Sequence, residues 1–439
     1  MPIAGSGEPN AHKETGDKDM RLTFVSNYFN HHQKPLCEAF AHTPQVEFVF
    51  LQTEPMEEER LRMGWGLDIT AYPYVRVWQQ DEAAAREAVL SSDVVIWGGV
   101  ETKGPEKALE ERLAAGKLTF RYSERIYKEG RWRFISPRGL KQKYHDFTRY
   151  RKAPYYLLCA GAYAGSDYAL VRAFPKKKFV WGYFPETKRY DFDELMAKKS
   201  TAGEPVRLLW AGRMIDWKHP EIAIQVADRM LHGAPGMVTD LPQKVRKNGG
   251  FVLTMAGSGE MEQELRLAVL EKGLEQVVRF TGFLKPEQIR EEMERSDIFL
   301  FTSDEKEGWG AVLNEAMNSG CLVVARPEIG AVPYLLDHGY NGMINGKTGY
   351  YPAMTAWLIM NREEFRRQAG RAYDTIINAW NAENAAAQFL RVAEELLRGG
   401  TFTYAEKLPF ENGPTGMLQP MCRDPELRPQ EGARFARRW

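Results

Sequence analysis

Cysteine is scarce in this 439-residue chain: there are four, scattered, with no C-x-x-C pair. Nothing in their spacing suggests a disulfide framework, and Cys159 and Cys321, in or beside apolar runs, read as buried thiols of a reducing cytosol. Long hydrophobic runs are also missing. No stretch approaches the roughly 20 continuous apolar residues that cross a bilayer, and the polar first segment carries no secretory signal, so a cytoplasmic location is expected. Charge of one sign is not in excess, since Lys+Arg and Asp+Glu number 59 each, and no nucleic-acid partner is expected. A G-x-G-x-x-G turn does not follow the first apolar strand, where Ser26-Asn27-Tyr28-Phe29-Asn30 stands instead. That absence speaks against a dinucleotide-dependent dehydrogenase.

What is present is the length and alternation of a two-domain α/β protein. Residues 1–19 are polar and rich in turn formers, and disorder is expected there. From Met20 the runs Leu22–Ser26, Val46–Phe50, Val94–Trp97, Leu118–Tyr122, Tyr155–Cys159 and Phe179–Trp181 read as strands with helical patterns between several of them. This order predicts a parallel sheet in a first domain, 20–185. Residues 186–205 hold few apolar side chains and read as a linker. A second domain with closing helices is expected over 206–398 and a loose tail over 399–439. The linker contains Asp191-Phe192-Asp193, a D-x-D that elsewhere holds a metal, but its charged setting argues against a metal here.

Two motifs carry chemistry. In the first, the strand-like Asp297–Ser303 leads through a loop with Glu307, Gly308, Trp309 and Gly310 into a helical pattern that contains Val312, Leu313, Ala316 and Met317. Such a turn places the N–H groups of Gly310, Ala311 and Val312 at a helix start, where partial positive charge suits a phosphate. Glu315 falls about one turn further on the same face, able to grip a pair of hydroxyls, while Glu307 faces the other end of the ligand. Two isolated glutamates would read as solvated charges. In the second motif, Leu208-Leu-Trp-Ala-Gly-Arg213 ends a strand and Lys218 opens an amphipathic helix. Arg213 and Lys218 then lie at the carboxyl end of a parallel strand, where open α/β sheets bind ligands. A guanidinium and an ammonium there can neutralise a departing diphosphate without a metal; taken alone, the pair reads as two solvated cations.

In combination these residues resemble glycosyltransferase family 4, retaining enzymes of GT-B architecture. The likeness runs in order through Gly212-Arg213 with Lys218, Ala256-Gly257-Ser258-Gly259, Phe280-Thr281-Gly282-Phe283, Ser303, the E-x7-E pair Glu307 and Glu315, and Gly320–Ala325 before Ile329-Gly330. It implies two facing Rossmann-like domains and transfer of a hexose from a nucleoside-diphosphate sugar to a hydroxyl, without a cofactor. Arg213, Lys218 and Glu307 would be catalytic. Glu315, Gly308, Trp309, Gly310, Ala311, Val312 and Phe283 would bind the donor, Phe283 at its base. The glycine-rich loop usual after the first strand of that family is replaced here by Asn27–Pro35. A nucleotide-sugar epimerase and a binding protein without turnover are the alternatives.

Three further features remain. His31 and His32 follow the first strand, facing the expected cleft, and read either as contacts to an acceptor hydroxyl or diphosphate or as loop histidines. A zinc site is disfavoured, because no third ligand stands at recognisable spacing. Glu124 lines the cleft or makes a loop salt bridge. The stretch 117–152 interleaves many Arg and Lys with Tyr127, Trp132, Phe134, Tyr144, Phe147 and Tyr150, which suits an anionic membrane surface and a saccharide or lipid-linked acceptor.

Overall fold

A computed structural model of the chain describes residues 19–62, 64–100, 103–130, 136–233, 240–400 and 419–427. The segment expected to be disordered therefore lies, Asp19 aside, outside the described residues, as do Arg131, Trp132, Arg133 and Phe134 of the basic stretch.

The first domain is a seven-stranded parallel sheet. Its strands are β1 Met20–Ser26, β2 Val46–Gln52, β3 Val75–Val77, β4 Val94–Trp97, β5 Thr119–Ser123, β6 Tyr155–Ala160 and β7 Lys178–Trp181, in the order β3-β2-β1-β4-β5-β6-β7. Leu22, Phe24 and Val25 on consecutive sides of β1 are all inaccessible, as expected for a strand covered by helices on both faces. β3 was not anticipated. At three residues it is too short to show alternation, and pairing with β2 forms it.

The second domain repeats the plan with β8 Val206–Ala211, β9 Phe251–Ala256, β10 Val278–Gly282, β11 Ile298–Phe301, β12 Leu322–Ala325 and β13 Met343–Ile344, in the order β10-β9-β8-β11-β12-β13. In each sheet the order reverses once, beside β1 and β4 in one and beside β8 and β11 in the other. Loops on the two sides of such a reversal part from each other and leave a crevice at the carboxyl ends. The two crevices face each other, which fixes where a ligand goes.

Three of the described stretches tie the domains together. The segment expected to be a linker holds a helix, Phe192–Ala197, whose N-cap Asp191 accepts from the Asp193 and Glu194 N–H groups. The acid of the D-x-D is thus a helix cap. The last helix, Ala382–Leu397, returns to the first domain, where Phe389 packs on Phe40, Phe120 and Trp181 with ring centroids 5.5, 4.8 and 5.9 Å away.

The loose tail expected over 399–439 is corrected in part. Residues 419–427 lie along β7: Val180 N–H donates to Cys422 O at 2.8 Å, and Met421 N–H to Val180 O at 2.9 Å. There Asp424 is buried and accepts from Tyr334 Oη of the second domain at 2.6 Å. A strand edge offers unpaired backbone groups to any extended segment, and no periodicity is needed to take them. Residues 401–418 and 428–439 lie outside the described residues.

Candidate active site between the two domains

The facing crevices form one cleft of about 1230 Å³, room for more than one drug-sized ligand. Its first-domain wall comes from the loops after β1 and β4 and from β5, with His31, His32, Gly98 and Glu124. Its second-domain wall comes from the loops after β8, β9, β10 and β11, with Arg213, Lys218, Phe283, Glu307, Gly308, Gly310, Ala311, Val312 and Glu315.

Local chemistry explains how Lys218 reaches this wall. After β8 the chain makes a turn that lies directly on the turn after β9, because a Cβ on Gly257 would overlap the Gly212 carbonyl oxygen and its φ of +131° suits glycine. A short 3-10 turn, Asp216–Lys218, then lifts the lysine, and the helix Pro220–His232 follows. Below it, Thr302 Oγ1 donates to Lys218 O at 2.7 Å and receives Trp210 Nε1 at 2.8 Å. The Lys218 ammonium donates to Glu307 Oε2 at 2.7 Å, and Ser303 Oγ donates to the same oxygen at 3.0 Å. With side chains 16% and 13% exposed, this ion pair is largely shielded from water and feels far less screening than a surface pair.

Glu307 opens the loop to the helix Val312–Asn318. The helix geometry gives the N–H groups of Gly310, Ala311 and Val312 no acceptor within the helix, and these residues line the cleft. Glu315, one turn on, also lines it; burial pushes its carboxyl above the usual range while Arg290 pulls it the other way. Phe283 is 49% exposed and, with Leu284, Pro286 and Ile289, makes an apolar end of the cleft.

From the opposite wall, Glu124 reaches the same loop. Tyr183 Oη donates to Glu124 Oε1 at 2.7 Å, Lys128 pairs with Oε2, and a Cβ on Gly308 would overlap that carboxylate. Behind it, the Gly308 carbonyl is wedged between Gly161 of the first domain and Gly330, where any side chain would collide. Ala162 N–H donates to Gly330 O at 2.9 Å across this seam.

Residues 191–349 match the family model for glycosyl transferases group 1. That span, which carries Arg213, Lys218, Glu307 and Glu315, is similar to a group 1 glycosyltransferase domain. Among curated proteins it is similar to the amylovoran biosynthesis glycosyltransferase AmsK of Erwinia amylovora, at 30% identity over 146 residues, 32% of each chain. It is also similar to the putative colanic acid biosynthesis glycosyltransferase WcaL of Salmonella typhimurium, at 27% over 173 residues, 32% of this chain and 42% of that one. The chain thus spans about a third of the length of the first curated relative it matches. Solved structures align over far more of it. HepE of Anabaena in complex with UDP has a TM-score of 0.58 at 16% identity, covering 86% of this chain and 100% of that one. The lipopolysaccharide outer core galactosyltransferase WaaB, apo form, gives 0.59 at 14%, with 86% and 100% covered. These likenesses show the GT-B fold.

Within the matched span one expected donor contact is corrected. Trp309 is fully buried and turned away from the cleft; its indole Nε1 donates to Asn314 Oδ1 at 3.0 Å, and its ring stacks on Trp380 at 5.4 Å and 15°. Its two glycine neighbours keep the backbone at the cleft while the indole fills the seam against Gly182. The other expected site residues come together in the cleft. His31 and His32, ring centroids 3.9 Å apart, sit edge-on to Trp65 at 5.1 and 5.2 Å, and burial holds both imidazoles below their usual pKa, hence neutral.

Sequence reasoning missed Trp65, Arg60 and Tyr183, which all line the cleft. Arg60 stacks on the Trp65 ring, its guanidinium carbon 4.3 Å from the centroid. The one signal was an aromatic between two glycines, Gly64-Trp65-Gly66, in a loop after an apolar strand.

The basic stretch 117–152 is less of a surface than its composition suggests. Arg125 is buried against Asp167 at 3.4 Å, Tyr127 and Phe147 are in the core, and Arg149 pairs with Glu110 at 2.7 Å. Among the described residues of the stretch, the helix Pro137–Asp146 faces outward with no buried residue, exposing Leu140 and Tyr144 beside Arg138 and Lys141, and Arg151 and Lys152 are exposed as well. Among the described residues no helix is long and apolar enough to cross a membrane.

Proposed function

We propose that the chain is a retaining glycosyltransferase of family 4 type, moving a hexose from a nucleoside-diphosphate sugar to a hydroxyl without a metal or other cofactor. The observation that carries this is the meeting of Lys218 and Glu307 where both sheets open, with the Gly310–Val312 helix start and Glu315 on one side and Glu124 on the other.

Arg213 and Lys218 supply the positive charge that a leaving diphosphate needs as its bond to the sugar C1 breaks, a contribution made mainly in the transition state. Glu315 takes the ribose, Phe283 the base, and Glu307 and Glu124 the sugar hydroxyls. Because one Glu307 oxygen already serves Lys218 and Ser303, that carboxylate is read as a holder of hydroxyls. The acceptor enters along the first-domain wall, where His31 and His32 offer neutral imidazoles to a hydroxyl. HepE is described in complex with UDP and glucose, which favours a uridine donor as the first to try.

The named polysaccharide enzymes among the relatives support a saccharide or lipid-linked acceptor in surface polymer assembly. The outward helix Pro137–Asp146, basic and aromatic, supports peripheral contact with an anionic cytoplasmic leaflet. Thermal shift against UDP, GDP, ADP and their sugars tests the donor reading, since tight ligands raise stability by mass action. A chain that none of these stabilises, and that hydrolyses no sugar nucleotide, sinks it.

A further inference from the structure

His219 follows Lys218 directly, and its backbone is left-handed at φ 49° and ψ 52°. Such a conformation costs least at glycine. Its ring explains why a side chain is kept there: Nδ1 lies 2.9 Å from Glu221 Oε1, and Nε2 lies 3.3 Å from Asp304 Oδ2.

Asp304 begins the loop that ends at Glu307. Its N–H donates to Trp217 O at 3.0 Å, its side chain accepts from Lys306 N–H at 2.8 Å, and its carbonyl accepts from Glu307 N–H at 3.1 Å. The imidazole therefore bridges two loops, one carrying Lys218 and the other Glu307. The charged groups that face it are Glu221 from its own helix, Asp304 from the loop after β11, and Arg326 from the loop after β12. The two carboxylates outweigh burial and Arg326 and push the imidazole up to about 9, so near neutral pH both ring nitrogens donate.

We propose that His219 is a positioning residue for Lys218, tying the loop after β8 to the loop after β11 so that the ammonium is held where the diphosphate departs. The proposal rests on the reading of Lys218 given above. A glycine would suit the backbone but join nothing; an asparagine tolerates the same conformation and carries no charge.

The test compares wild type, His219→Gly, His219→Asn and Lys218→Ala, using whichever of UDP-, GDP- and ADP-glucose gives the largest thermal shift. Both His219 variants are expected to keep the donor KM within about threefold while kcat falls about 10- to 100-fold, the scale of a catalytic group displaced by about 1 Å. Wild-type kcat should also decline as pH rises through about 9, a step the variants lack. Backbone amide exchange at Asp304 and Lys218 should quicken about tenfold or more in His219→Gly, a readout independent of turnover. An inactive Lys218→Ala beside His219 variants of normal kcat and unchanged exchange overturns this proposal and leaves the Lys218 reading standing. A Lys218→Ala enzyme of normal turnover sinks that reading, and this proposal with it.

Discussion

The Lys218 ammonium and the Glu307 carboxylate stand 2.7 Å apart, although 89 residues separate them in the chain. Each therefore sets the charge its neighbour presents to a ligand. Lys218→Ala should lower kcat/KM by about 100- to 1000-fold, in the range seen when one preorganised donor to a developing charge is lost. Glu307→Gln should act in opposite directions on two readouts. Transfer falls, but the nucleoside diphosphate alone binds about 3- to 10-fold tighter, because the ammonium is no longer partly neutralised. Calorimetric titration with the diphosphate and steady-state kinetics check both; a Glu307→Gln protein that binds the diphosphate more weakly contradicts this picture.

The seam at Gly308 predicts a stability effect just behind the cleft wall. Adding one methyl group at Gly330 forces it into the Gly308 carbonyl, with Gly161 behind and no flexible side chain to yield. Gly330→Ala should cost about 2 kcal/mol or more, as for overpacked sites. Denaturant unfolding measures this, and a loss under about 0.5 kcal/mol would mean that the domains do not seat as described.

Asp424 gives a pH dependence of known sign. Burial pushes its carboxyl up to about 6 from an ordinary 3.8, despite the Tyr334 hydroxyl that it accepts. A raised carboxyl binds its proton more tightly in the folded chain, so its contribution is greatest below the unfolded value and declines as pH rises to about 6. Asp424→Asn, which cannot ionise, should remove that decline: relative to the variant, the wild type loses stability between pH 4 and pH 6.5. Parallel melting curves check it, and identical pH profiles would refute the assignment.

The outward helix predicts vesicle binding that depends on charge. Replacing Arg138 and Lys141 with glutamate, or Leu140 and Tyr144 with serine, should reduce flotation with anionic vesicles several-fold, since each basic residue near such a surface contributes about 1 kcal/mol. Binding unchanged by both pairs rejects the membrane reading.

The parts of this site that the sequence made legible share a cause. Lys218, Glu307 and Glu315 stand at fixed offsets from strand ends, and the strand–loop–helix unit converts those offsets into positions on one wall. Trp309 shows the limit: neighbours in a turn face different ways, so a motif that places Gly308 and Gly310 at the cleft says little of the side chain between them. Trp65, Arg60 and the segment 419–427 were illegible for another reason. Their places depend on what lies across the fold: the histidines for one, the open edge of β7 for the other.

The return of the helix Ala382–Leu397 bears on how the molecule is made. Phe389 fills a socket among Phe40, Phe120 and Trp181, so the first domain leaves the ribosome with that socket open and closes it only after the whole second domain has been translated. An isolated first domain would carry this bare apolar surface into solution, and halves expressed separately should recover solubility only when the fragment that ends in the last helix is supplied in trans.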